Sequence, residues 1–254
     1  MFLWNFWAAI RDIAVRGAPY LQDRIVDVMH ELKQHGRTGS EGLRVWGEPL
    51  DWEVLPLFGA DVAESLNVVT VPGRVLHISA NTPDAYAFLC GAPPGDDLYS
   101  QRCAAARTGW LNFIRYLMRA WAVDVCDFGS WALGFMRDGL EALEVASCDA
   151  MRKGTLSAAP ALALEVASVC VQTAGTKMFG RAVAAGADAN SSEALEKRRR
   201  RRQRQHVWNG VDDYHLERWE LWKSVFREYA SVEGKEGIWP NAVEAAKVGV
   251  RTQV

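Results

Sequence analysis

Trp110, Phe113, Ile114, Leu117, Met118 and Trp121 fall at spacings of 0, 3, 4, 7, 8 and 11, one apolar stripe along three turns of helix. Only other elements with apolar faces of their own can bury a stripe this regular, so it commits the chain to helix packing. The same period recurs elsewhere. Tyr20, Leu21, Ile25, Val28, Met29 and Leu32 share a face, with Pro19 near its start and Gly36 just past its end. Phe6, Ile10, Ile13 and Ala14 predict a buried first helix, and LPLFGADVAESL predicts a short one beginning after Pro56. Asp127 is placed to cap a helix carrying Phe128, Trp131 and Phe135 on one face, with Arg137 and Glu141 as an exposed pair four residues apart. APALALEVASVCVQTAG is apolar nearly all round, which predicts the most buried helix, ending at Gly175. Leu216, Trp219, Trp222, Phe226 and Tyr229 step by 3, 3, 4 and 3, with Glu217, Arg218, Glu220, Lys223, Arg227 and Glu228 mostly opposite. Left open to water, that aromatic row would exceed the apolar patches monomers usually carry, so it predicts packing against the protein itself.

One stretch differs. NVVTVPGRVLHI is β-branched on both sides of a Pro-Gly turn signal. The expected fold is therefore all-α: a single multihelical domain over 1–254 of about eight to ten helices, with a short β-hairpin or an extended loop near 67–78. Thr82-Pro83-Asp84 starts a further helix, which the Gly91-Ala92-Pro93-Pro94-Gly95 breaker must stop.

An apolar fraction of 49% beside 24% charged residues excludes global disorder. No apolar run approaches the roughly 18 residues of a spanning helix, so no membrane partner is expected. MFLWNFWAAI lacks a basic flank and meets Arg11-Asp12 after ten residues, which argues against a secretory signal. Cys90, Cys103, Cys126, Cys148 and Cys170 contain no C-x-x-C and are odd in number. They give no disulfide framework and suit a reducing compartment, cytoplasmic or nuclear.

The net charge of −2 hides a segregation. KRRRRRQR supplies Lys197, Arg198, Arg199, Arg200, Arg201, Arg202 and Arg204; without them 22 basic residues face 31 acidic ones, a remainder of −9. Such a block repels itself and reads as a flexible basic loop at about 187–207. Its functional alternatives are a nuclear-import signal or a nucleic-acid phosphate contact, though no recognised RNA or DNA module surrounds it.

Other chemistry is mostly excluded. GTKMFGRA has the two glycines of a P-loop, but Arg181-Ala182 replaces the lysine and hydroxyl that phosphate and magnesium need. No histidine pairs with a cysteine at zinc spacing, and His30 and His35 suit the last turn of a helix. No cofactor is expected. Asp212, Asp213 and Glu217, with Asp96, Asp97 and Ser100, faintly resemble the two magnesium motifs of class I terpene cyclases. Ala104 stands where a carboxylate is needed and the order is reversed, so helix capping by Asp212-Asp213 is the stronger account.

Three segments carry a family likeness. LERWELWKSVFRE is similar to a C-terminal E-R-W-x-x-W-K-x-x-F helix that an alanine-rich helix follows, here NAVEAAKVGV. WLNFIRYLMRAWAVDVCDFGSWALGFMRDGLEA resembles a central helix pair through Trp110, Asn112, Phe113, Asp127, Arg137, Asp138 and Glu141. VWGEPLDWEVLPLFG resembles a W-x-(n)-L-P-L-F-G segment through Trp46, Leu55, Pro56, Leu57, Phe58 and Gly59. Together they resemble domain-of-unknown-function family 3632 of fungi. The resemblance implies an all-helical intracellular protein and brings no activity, cofactor or catalytic residue to carry across.

Three functions remain open. The strong patterns explain packing rather than reactivity, which favours a non-catalytic binding or scaffold protein with a protein partner. The second is an enzyme of undescribed type in fungal secondary metabolism, with an aromatic pocket between helices and Asp127, Asp138 and Glu141 as candidate catalytic acids. The third is a nuclear protein that contacts nucleic acid through its arginine run.

Overall fold

The computed structural model describes residues 2–36, 44–45, 47–66, 68–71, 74–79, 98–142, 153, 158–187, 207–208, 210, 212–232 and 240–252. They contain eight α-helices and two short antiparallel ladders, so the all-α reading with a small β element holds. The chain divides into two compact units, Met1–Cys126 and Asp127–Val254. No helix among the described residues is long and apolar enough to cross a membrane.

In the first unit, α1 (Phe2–Arg16), α2 (Pro19–His35), α3 (Phe58–Leu66) and the long α4 (Leu98–Ala122) surround one interior. The α4 stripe is buried at Phe113, Ile114, Leu117, Met118 and Trp121, while Trp110 is half-buried. Tyr116 and Ala120 are buried too, so the later turns of α4 are enclosed nearly all round. Asn112 ties them to the α1–α2 corner: its amide donates to the Val15 carbonyl at 3.0 Å, and its own carbonyl accepts from Gln22 at 3.0 Å. Gln22 also donates to the Ala14 carbonyl at 2.8 Å.

Two expected faces are rotated. On α1 the buried residues are Leu3, Trp7 and Ala14, whereas Phe6 is half-buried and Ile13 exposed. Both sides of this helix are apolar, so hydropathy alone leaves its rotation open. Polar bonds choose it: Trp7 Nε1 donates to the Pro56 carbonyl at 2.7 Å, and Arg11 pairs with the buried Asp61. On α2 the inner face is Gln22, Ile25, Val26 and Met29, with Tyr20 and Val28 exposed, because Gln22 must reach Ala14 and Asn112.

Pro56 lies between two left-handed leucines, Leu55 at φ 46° and Leu57 at φ 64°. Leu55 is held there by burial and by its N–H, which caps the 3₁₀ turn Trp52–Val54 through the Trp52 carbonyl at 3.1 Å. Trp7, Trp52 and Phe58 pack their rings around this turn. A two-residue ladder, β1 (Arg44–Val45) with β2 (Glu48–Pro49), precedes it; nothing in the loop-like sequence of 37–55 announced that pairing. The hairpin near 67–78 forms as β3 (Val68–Val71) and β4 (Arg74–Ser79), registered Val69 to Ile78. The helix expected after Thr82 and the basic run lie outside the described residues.

The second unit is built on α6 (Ala158–Ala187), 30 residues and about 45 Å long. It is the deeply buried helix expected, but it runs through Gly175 to Ala187. The P-loop-like glycines, Gly175 and Gly180, therefore sit inside a helix and shape no loop. Packed on α6 are α5 (Gly129–Leu140), α7 (Leu216–Ala230) and α8 (Pro240–Thr252). The inner face of α5 is Ala132, Met136, Gly139 and Leu140; the expected Trp131 is 39% exposed and Phe135 half-buried. Close approach is the reason: a Cβ on Gly139 would stand 2.8 Å from that of Ala167 on α6, which leaves no space for aromatic rings between the helices. Trp219, Trp222, Phe226 and Tyr229 of α7 are buried as the aromatic row predicted, while Leu216 is exposed.

A left-handed backbone clashes with any Cβ and relaxes at glycine. Leu57→Gly is therefore expected to be more stable than Leu57→Ala by about 1 kcal/mol in urea unfolding. At an ordinary φ the order is reversed, and finding it reversed here would remove the strained turn.

Candidate functional site

The densest polar constellation among the described residues lies where α5 ends and α7 begins. Glu141, directly after α5, is fully buried. Arg218, on the first turns of α7, is 1% exposed. The guanidinium meets the carboxylate in a fork: Nε donates to Oε1 at 2.5 Å and Nη2 to Oε2 at 2.9 Å. Trp222 Nε1 donates to Oε1 at 2.7 Å, so the acid receives three bonds. Arg218 spends its remaining edge on the Asp213 carbonyl at 2.9 Å. Its Cζ stands 5.8 Å from the Trp208 ring centre and 5.6 Å from that of Trp222, within cation–π range of both indoles. The backbone joins in, since Val207 N–H donates to the Glu141 carbonyl at 2.8 Å.

Beside this pair Arg137 donates to Asp212 at 3.3 Å, while at the start of α5 the Tyr214 hydroxyl donates to the Gly129 carbonyl at 2.7 Å. Burial pushes the Tyr214 phenol up, which keeps it a neutral donor. At that same start of α5, Asp127 Oδ1 accepts from Gly129 N–H at 2.8 Å and its Oδ2 from Arg181 at 2.8 Å. The Arg181 bond, more than the Gly129 bond, holds this carboxyl below its usual range.

These positions revise several expectations. Arg137 and Glu141 are not an exposed pair: the acid is turned inward to Arg218, and Arg137 takes Asp212 instead. Arg218 does not lie on the charged side of α7. Asp212 and Asp213 do not cap α7; His215 holds that position, with its ring accepting from Glu217 N–H at 3.3 Å. Asp213 instead receives the Tyr214 N–H at 2.7 Å. Glu217 is exposed, and no three metal-ligating side chains come together among the described residues. Asp96 and Asp97 are outside that set.

Of the candidate catalytic acids, Asp127 sits on Arg181, Glu141 is enclosed by Arg218 and Trp222, and Asp138 lies exposed on α5. Cys103 and Cys170 are buried and Cys126 half-buried, and none of the three is in a disulfide. Burial raises Cys126 to about 11, so it is a poor nucleophile at neutral pH. In the first unit Asp61 is the counterpart of Glu141, and burial raises its carboxyl despite the Arg11 beside it.

The Leu55–Gly59 turn, the α5 acids and the α7 aromatic row now have places in the fold, and one family profile runs through all three, matching residues 7–226. The chain belongs to the family described as Protein of unknown function (DUF3632). No curated protein and no solved structure matches it. In this DUF3632 chain two of the three recognisable segments are bonded to each other, for Glu141 closes the second and Arg218 and Trp222 belong to the third.

Sequence reasoning missed the Glu141–Arg218 bond across 77 residues. A signal was present: Arg218, Trp222, Val225 and Tyr229 share the 0, 4, 7, 11 period of the buried face of α7. Removing one partner leaves a buried charge alone, so Glu141→Leu should lower the stability measured by urea unfolding by about 3–5 kcal/mol. Adding Arg218→Met should recover most of that loss. A single-variant loss under about 1 kcal/mol would mean that water reaches the guanidinium.

Proposed function

We propose that this chain is a helical binding or scaffold protein. The observation that carries this reading is how its reactive groups are used. Asp61, Asp127, Asp212 and Glu141 each hold an arginine from another segment, and three of them fix how helices meet. A catalytic acid needs a face open to substrate. Glu141 has none, and Asp127 directs its carboxylate at Arg181 and its own helix start.

The surface supplies apolar contacts instead. Phe179, Val183 and Leu216 are exposed around the buried Trp219; the Phe179 and Trp219 rings are 5.6 Å apart. Val183 follows Phe179 by one turn on α6, and Leu216 precedes Trp219 by one turn on α7. An exposed apolar group of this kind suits a protein partner.

A second reading has its own support, the charge segregation. Seven basic residues in Lys197–Arg204 against a remainder of −9 suit a polyanion held by phosphate contacts, a salt-sensitive and sequence-indifferent mode.

One pair of variants separates the readings. In gel filtration of a native extract, the chain should elute well above its own 28.2 kDa, and Phe179→Ser with Leu216→Ser should return it to that mass. Replacing Arg198 to Arg202 with serine should leave that elution unchanged while removing retention on heparin at moderate salt. Elution at 28.2 kDa from the outset counts against the binding reading, and heparin retention unaffected by the serines eliminates the polyanion.

A further inference from the structure

Towards its C-terminal end α6 turns one strip outward. Thr176, Phe179, Gly180 and Val183 are exposed on neighbouring turns, while Met178 and Ala182 face the interior. The exposed Leu216 of α7 stands beside the strip, one turn before Trp219, whose ring lies 5.6 Å from that of Phe179. Gly180 is the unexpected member. A Cβ built on it meets nothing within 4 Å, so the fold does not require a glycine there, and an exposed glycine inside a helix lowers its stability relative to alanine. Its missing side chain leaves the surface low beside Phe179 and Val183.

The two borders of this face differ in charge. On the α5 side are Lys177 and Arg181, one turn apart; Arg181 holds Asp127, and Lys177 is near enough to help lower that carboxyl. On the α7 side Asp213, Glu217 and Glu220 are exposed, against Lys223, which pairs with Glu220 at 2.5 Å. Arg218, the other cation of those turns, is sealed on Glu141. An apolar middle between a basic and an acidic border is complementary to itself, which is what a two-fold contact demands.

We infer that the partner at this face is a second copy of the chain, with the two-fold axis parallel to α6. That axis lays the α6 border of each copy over the α7 border of the other. Lys177 of one copy meets Glu220 of the other, and Leu216 settles on the low ground at Gly180, each contact occurring twice. An axis across α6 would set Lys177 against Lys177, and like charges oppose it.

The inference names the partner for the binding reading above and rests on it. The purified full chain, with no other protein present, should sediment at twice its 28.2 kDa by about 100 μM, within the affinity range of small interfaces. Lys177→Glu and Glu220→Lys should each weaken self-association about tenfold or more, because each sets like charges together twice. Mixed in equal amounts the two variants should pair again, since one chain then presents acids on both borders and the other presents bases. Misfolding of either variant cannot produce that recovery. A charge variant that self-associates as the native chain does, or a mixture as monomeric as its parts, overturns the inference.

Gly180→Leu supplies a second check, because the chain itself has room for the side chain and only a facing copy would meet it. It should block pairing with the helical circular dichroism unchanged; a folded Gly180→Leu chain that still dimerises overturns the contact. A purified chain that stays at 28.2 kDa while the native extract carries it in a larger complex overturns the second copy alone, whereas 28.2 kDa in both removes the binding reading with it.

Discussion

A carboxylate sealed from water is tolerable only when donors surround it, and the second unit is arranged around that requirement at Glu141. Three donors reach its two oxygens, two from Arg218 and one from Trp222. Because both donor residues lie on one face of α7 one turn apart, meeting Glu141 fixes the rotation of that helix. Arg218 in turn requires partners for its flat faces and last edge, which Trp208, Trp222 and the Asp213 carbonyl provide. Val207 bonds the Glu141 carbonyl at the end of α5, and Tyr214 the Gly129 carbonyl at its start. Hydrophobic area drives the packing, since Trp219, Trp222, Phe226 and Tyr229 are all buried, but area alone has no preferred rotation. The ion pair supplies the preference.

The first unit reaches the same result with weaker bonds. Trp7 reaches the Pro56 carbonyl, Arg11 reaches Asp61 and Ser65, and the amides of Gln22 and Asn112 join α1, α2 and α4. Every one of these links segments distant in sequence. Two left-handed leucines persist beside Pro56 because the surrounding contacts over-determine them: Leu55 is buried, and the Trp7 bond pins the carbonyl between them.

The same economy bears on function. Among the described residues Asp61, Asp127 and Glu141 hold arginines from other segments, and burial raises the Cys126 and Cys170 thiols, which makes them poor nucleophiles. What the described surface offers is apolar contact, at the exposed Phe179, Val183 and Leu216 beside Trp219.

Taken by itself, the sequence determined which segments are helical, because a 3.6-residue period is a local property that each segment carries alone. The α4 stripe, the α7 aromatic row and the short helix after Pro56 were legible in this way, whereas the β-branched residues around Pro72-Gly73 left a hairpin or an extended loop open near 67–78. Tertiary structure decided which side of each helix turns inward. On α1 and α5 apolar residues occupy more than one face, so the choice fell to partners far along the chain: the Pro56 carbonyl for Trp7, and the close backbone of α6 for Gly139. It also decided the fate of the charges. Glu141 and Arg137, four residues apart, suggest a surface pair, yet Arg218 offers the acid two hydrogen bonds away from water, and a local period holds no record of a partner 77 residues away.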